Sequence, residues 1–334
     1  MKRLFLLAAA ALAGACSAAL AQGSAYSTMS VAGLRTGVIV DQARCPDAVG
    51  SVWVAAPHAD GAVEGACIRY YAAGLGGTNP AAVVFLHGNR LARVYDDEGR
   101  LIRIDASEGY GRATEESLGR AAALQAAALG HPFIILARPG YYGSSGVAAE
   151  QYRRREVLLV DAALDAIKRR HGIGRFGVSA QSGGGPSLAG LLALRDDVAC
   201  GVFSSSLTAF EERERALGPA RRGPPLRQVT ADPYDPIREV GGIRPSPDRR
   251  VFVVGDPGDR LIPLSAQQAY ADALRRQGVE VAMTTGTAVG ANHHSLGATG
   301  QRAAGWCLDG LSDEEILSRM GRGEAGYLIE GGFY

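Results

Sequence analysis

The sequence predicts a doubly wound α/β protein, and three observations carry that prediction. Short apolar runs rich in Val, Ile and Phe recur along the chain, bounded by Gly, Pro or Asn. They lack clean alternation, as expected of strands buried on both faces of a largely parallel sheet. Helical stretches with apolar residues at 3.6-residue spacing lie between the later runs, so strand and helix alternate. Right-handed crossovers then place helices on both faces.

The first element is a processing signal. Lys2 and Arg3 precede an apolar run over 4–12, and Ala19, Leu20 and Ala21 form a small-x-small pattern before Gln22. This predicts a secretory signal peptide over 1–21, because the run is too short to span a bilayer. The alternative is a lipoprotein anchored at Cys16, but Ala13 stands where a branched apolar residue is wanted. No later segment reaches the ~18 uncharged apolar residues of a membrane span. The expected location is periplasmic or extracellular.

An N-terminal extension covers 22–50, and one α/β domain is expected over 51–334. Its strands are predicted at 51–56, 66–71, 81–86, 133–137, 175–179, 200–204, 251–254 and 281–284. Helices are predicted at 114–129, 150–170, 183–194 and 265–277. The segment 207–249 breaks this rhythm with eight arginines, among them Arg213, Arg221, Arg222, Arg227 and Arg238, and seven prolines. It suits a short helix and loops outside the sheet, either a lid over the carboxyl ends of the strands or a solvated excursion.

Composition narrows the function classes. Among 334 residues, 35 Lys and Arg face 34 Asp and Glu, a net charge of +1 that removes the phosphate attraction nucleic-acid binders depend on. Charged residues at 21% and hydrophobic ones at 47% describe a globular chain. With the signal removed, Cys45, Cys67, Cys200 and Cys307 remain in a compartment where disulfides persist. Cys45 with Cys67 and Cys200 with Cys307 is the expected pairing, although spacing alone cannot choose among three connectivities.

The chemistry centres on a serine. The strand at 175–179 runs into Ala180, Gln181, Ser182, Gly183 and Gly184, after which Gly185 and Pro186 open a helix bearing Leu188, Leu191, Leu192 and Leu194. A nucleophile on a sharp strand-to-helix turn leaves no room for side chains two positions either side, a need that Ala180 and Gly184 meet. The helix N-terminus offers the N–H of Gly183 to a developing oxyanion.

A serine needs a base and a group to orient it. His293 and His294 lie in a loop after the last predicted strand; His294, directly before Ser295 and Leu296, is preferred over His293. The orienting acid follows the strand at 251–254. There Asp259 precedes Pro263 and a helix, and Asp256, before Pro257 and Gly258, is the alternate or a turn former. The loop after Phe85, Leu86, His87 and Gly88 brings the N–H of Asn89 as second oxyanion donor, with His87 read as structural. A metal site from His293, His294 and Asp256 is disfavoured, since adjacent loop histidines lack helical i, i+4 pairing. No cofactor is called for.

From about Ser51 onward these residues resemble the α/β-hydrolase superfamily. The resemblance rests on the His87–Gly88 loop, on Arg138, Pro139, Gly140, Tyr141, Tyr142, Gly143, Ser144 and Ser145 after the next strand, on the Ser182 elbow, and on acid and histidine in that order. Ala180 replaces the usual first glycine, and the histidine is doubled. The resemblance implies an eight-stranded sheet, an oxyanion hole from Asn89 and Gly183, and a cap after the sixth strand. It implies no single substrate. A small carboxylic ester, attacked by Ser182 with His294 and Asp259, is the expected substrate. A peptidase of the same fold and an inactive binding protein are the rivals. Peptidases of this kind commonly carry an N-terminal gating domain, for which about thirty residues leave no room.

Overall fold

A computed structural model describes residues 30–45, 50–96, 98, 100–107, 109–218 and 224–323. The predicted signal peptide, Pro219, Arg221 and Arg222 lie outside the described residues. The eight predicted strands are all present, most a residue or two longer than expected. They are β1 (Ser51–Pro57), β2 (Val63–Ala73), β3 (Asn79–Leu86), β6 (Phe133–Leu136), β7 (Ile173–Gln181), β8 (Val198–Ser204), β9 (Arg250–Gly255) and β10 (Val281–Thr285). They form one sheet in the order β1-β2-β6-β3-β7-β8-β9-β10. β2 runs antiparallel to β1 and β6, and β6 through β10 pair in parallel.

Burial on both faces explains the missing alternation. Along β3, Ala82, Val84 and Leu86 enter one apolar core while Ala81, Val83 and Phe85 enter the other. The first core is covered by α3 (Arg154–His171), α4 (Gly185–Leu194) and α8 (Leu264–Arg276). The second is covered by α2 (Glu115–Leu129), α9 (Gly297–Leu308) and α10 (Asp313–Gly321). On α3, Val157, Val160, Leu164 and Ile167 recur at three- and four-residue spacing, so one stripe packs on the sheet.

Several elements differ from expectation. α3 starts at Arg154 because the chain before it is a 3₁₀ turn, Ala148–Glu150, and Tyr152 takes φ +71°. α4 starts at Gly185, two residues late, because Ser182–Gly184 forms a separate 3₁₀ turn. A two-stranded hairpin of β4 (Leu91–Tyr95) and β5 (Leu101–Ala106) was not predicted, nor were α1 (Val31–Thr36), α9 and α10. Disulfides join Cys45 to Cys67 and Cys200 to Cys307, the expected pairing, with Cα–Cα separations of 5.5 and 6.1 Å. The second ties β8 to the far end of α9.

Between β8 and β9 the chain leaves the sheet as α5 (Phe210–Leu217), α6 (Leu226–Val229) and α7 (Pro236–Glu239). Leu207 and Phe210 pack with Tyr152 and Ile262, and Leu226 joins from the edge. The charges of this segment pair across its short helices rather than along one of them. Arg238 bonds Glu211, and Arg227 lies 3.5 Å from Asp235. Among the described residues, no helix is long and apolar enough to cross a membrane.

Candidate active site

The elbow forms where β7 ends at Gln181 and the chain reverses through Ser182–Gly184 into α4. Ser182 sits at φ +52°, left-handed backbone that costs a serine about 1–3 kcal/mol and persists only where the surroundings enforce it. Two close approaches enforce it here. A Cβ on Gly184 would lie 2.4 Å from the Leu86 carbonyl oxygen, so the turn packs directly against the end of β3. A Cβ on Gly183 would lie 2.2 Å from Asn89 Oδ1, so the Asn89 side chain rests on that residue. The two predicted oxyanion donors thus lie side by side. Pro186 occupies the first turn of α4, where no intrahelical partner is lost.

Asn89 is held from below. Its Nδ2 donates to Tyr152 Oη, and its Oδ1 accepts Arg138 Nη1–H at 3.1 Å. Arg138 is fully buried, and its Nε–H donates to Glu156 Oε1 at 2.6 Å. Glu156 Oε2 in turn accepts the N–H of Tyr152 at 2.7 Å, closing a ring of contacts under the loop. His87 is also fully buried: its Nδ1–H donates to the Gly88 carbonyl at 2.7 Å, and its Nε2 accepts the Arg138 N–H at 3.2 Å. Burial, reinforced by the nearby Arg138 charge, holds this imidazole well below the ordinary histidine range. His87 is therefore a neutral structural residue, as read from the sequence.

The doubled histidine and the two candidate aspartates sort into two pairs. His294 Nδ1–H donates to Asp259, at 2.8 Å to Oδ2 and 3.1 Å to Oδ1. The Asp259 carboxylate is fully buried, and its Oδ1 accepts the N–H groups of Leu261 and Ile262 at 2.8 and 2.9 Å. With Nδ1 carrying the proton, His294 Nε2 is the acceptor; it is buried and has no hydrogen-bond partner among the described residues. His293 is half-exposed and approaches Asp256 only to 3.5 Å. Asp256 works as a turn former: its Oδ1 accepts the Gly258 N–H and its Oδ2 the Ala288 N–H, each at 2.7 Å. The two histidines face different carboxylates rather than a shared centre.

Ser182, His294, Asn89 and Leu261 stand where two cavities meet. One, of about 430 Å³, is bounded by Gly88, Gln181 and the 289–295 loop; the other, of about 590 Å³, by α5, β4 and the loop after β9.

One positioning residue escaped the sequence reading. Gln181, immediately before Ser182, donates its Nε2–H to the His294 carbonyl at 2.9 Å and accepts the Leu296 N–H at 3.3 Å. It clamps the histidine loop to the end of β7. A polar side chain immediately before the predicted nucleophile was the available signal. The pairing of Arg138 with Glu156 had none, because 18 residues separate two groups that only the fold brings together.

No family model matches the chain, and no curated protein matches it. Solved structures do. The chain aligns with an acylaminoacyl peptidase from Pyrococcus horikoshii at 14% identity and TM-score 0.46, over 77% of this chain and 38% of that one. It aligns with the esterase Pf2001 of Pyrococcus furiosus at 15% identity and TM-score 0.43, over 88% of this chain and 98% of that one. A puromycin hydrolase aligns at 15% identity and TM-score 0.48, over 79% and 40% respectively. The eight-stranded sheet with its antiparallel second strand, the elbow after β7, and the acid and histidine loops after β9 and β10 give this chain the α/β-hydrolase fold.

Proposed function

We propose that the protein is a serine hydrolase acting on a small carboxylic ester. The observation that carries this reading is the buried Asp259–His294 pair, whose unpartnered Nε2 lines the same cavities as Ser182. Ser182 Oγ attacks the ester carbonyl carbon while His294 Nε2 takes its proton, and the Asp259 carboxylate stabilises the imidazolium that forms. The N–H groups of Asn89 and Gly183 receive the negative oxygen. His294 then protonates the departing alcohol, leaving an acyl group on Ser182. A water, deprotonated by His294, releases it as the acid and restores the serine. The segment between β8 and β9 serves as a lid over the larger cavity. Secretion through a cleaved signal over 1–21, to the periplasm or beyond, fits the two disulfides.

The test is turnover of an aryl ester and the matched anilide by wild-type protein and Ser182→Ala. The expected result is ester cleavage by the wild type, at least about 10³-fold less by the variant, with the anilide far slower. Equal activity of Ser182→Ala overturns the serine mechanism, and faster cleavage of the anilide replaces the esterase with an amidase.

A further inference from the structure

Resting on the serine-hydrolase reading, we infer that the ester carries a carboxylate on the portion lodged in the larger cavity. Arg93 on β4, Arg213 on α5 and Arg260 after β9 line that cavity together with Ser182 and His294. They come from three separate elements, so their convergence is a property of the fold and not of one basic stretch. Among the described lining residues the one carboxylate is Glu214, and its Oε1 accepts the Leu226 N–H. Three guanidinium groups are therefore set against one carboxylate among the described lining residues, an excess of positive charge.

Among the described arginines of the lid that the sequence made conspicuous, Arg213 alone lines this cavity. Arg227 and Arg238 are both neutralised by Glu211 and Asp235. Arg213 is oriented by its Nε–H, which donates to the Leu261 carbonyl at 2.7 Å beside the acid loop. Among the described residues, no carboxylate pairs with Arg93 or Arg260. Leu91, Leu217, Leu261 and Ile262 supply an apolar wall, and a low-dielectric wall concentrates the field of nearby cations. Guanidinium groups also match a carboxylate in geometry, presenting paired N–H donors. The site so built attracts an anionic ester and holds its acid end away from the scissile bond.

Two matched pairs of esters test this. In the first, 4-nitrophenyl hexanoate is compared with the mono-4-nitrophenyl ester of adipic acid, which places the charge on the acyl side. In the second, phenyl acetate is compared with 4-acetoxybenzoate, which places it on the alcohol side. At low ionic strength the charged member of one pair is expected to show kcat/KM about tenfold higher than its neutral partner. That ratio should fall toward one in about 0.5 M salt, where exposed charges are screened. In Arg93→Gln/Arg260→Gln the ratio should drop severalfold. A wild-type ratio at or below one in both pairs overturns the inference, as does a ratio that the double variant leaves unchanged. Failure of the underlying reading looks different: none of the four esters is cleaved and Ser182 takes no fluorophosphonate.

Discussion

Replacing Gln181 by alanine should loosen the histidine loop without touching any reacting atom. Gln181 is 6% exposed and makes two hydrogen bonds to that loop, at 2.9 Å to the His294 carbonyl and 3.3 Å from the Leu296 N–H. Each is worth about 1 kcal/mol net. Losing both weakens docking of the loop by about 2 kcal/mol, and at 1.36 kcal/mol per decade kcat/KM falls up to about 30-fold. The loop keeps its other ties, Asp259 on His294 and the Asn292 carbonyl accepting the Arg260 N–H at 2.9 Å, so the fall should not reach that of a lost base. Gln181→Glu retains an acceptor for Leu296 but sets an oxygen against the His294 carbonyl, so it should be as slow as alanine above the carboxylate pKa and partly recover in acid. The assay is kcat/KM for an aryl ester from pH 5 to 8, with urea midpoints to show that the fold survives. A kcat/KM within twofold of wild type for Gln181→Ala, with no change in the Gln181→Glu pH profile, refutes the clamp.

The histidine pair separates by variant: His294→Ala should lose about 10²–10⁴ in kcat, the range for a lost general base, while His293→Ala stays within a few-fold, read with the same ester. Removing the Cys200–Cys307 bridge, which closes a 107-residue loop, should cost about 4.8 kcal/mol by loop entropy, against about 3.4 kcal/mol for Cys45–Cys67 with its 22-residue loop. Urea midpoints at constant m give both values. His87 predicts a pH effect on stability. Its folded pKa lies below the unfolded value of about 6.5, so the unfolded chain gains the proton first as pH falls. The stability it contributes is complete above about pH 6.5 and is lost below it at about 1.4 kcal/mol per unit. Asp235, pushed up to about 6 by burial, acts in the opposite direction: its stability is present at low pH and lost as pH rises through about 6. The wild-type slope minus that of His87→Asn between pH 6.5 and 5 cancels Asp235 and isolates His87.

What was legible in the sequence follows from how local each signal is. The strands announced themselves as apolar runs, because burial on both faces of the sheet's interior strands leaves little room for polar residues. The serine turn was legible because its strand, small residues and apolar helix are contiguous. The β4–β5 hairpin was missed because its strands are short and half-exposed, each interrupted by an arginine, without a long apolar run. α9, which follows the histidine loop, carries Gly297, Gly300 and Gly305 and so lacks helical propensity; Gly300 is tolerated because a Cβ there would meet Ser179 Oγ at 2.6 Å. Spacing separated His294 from His293 only weakly, since both lie in one loop. Their separation by carboxylate, Asp259 against Asp256, is a matter of three dimensions. The Arg138–Glu156 pair beneath Asn89 is likewise long-range, and only the packing of α3 against the loop after β6 brings it together.

The central claim is that Ser182 is activated by His294. Intact mass of the purified protein before and after a fluorophosphonate probe tests it most directly, with Ser182→Ala and His294→Ala alongside. One adduct on the wild type, none on Ser182→Ala and a strongly slowed adduct on His294→Ala is the predicted result. Folded wild-type protein that takes no adduct, or Ser182→Ala that takes one, contradicts it.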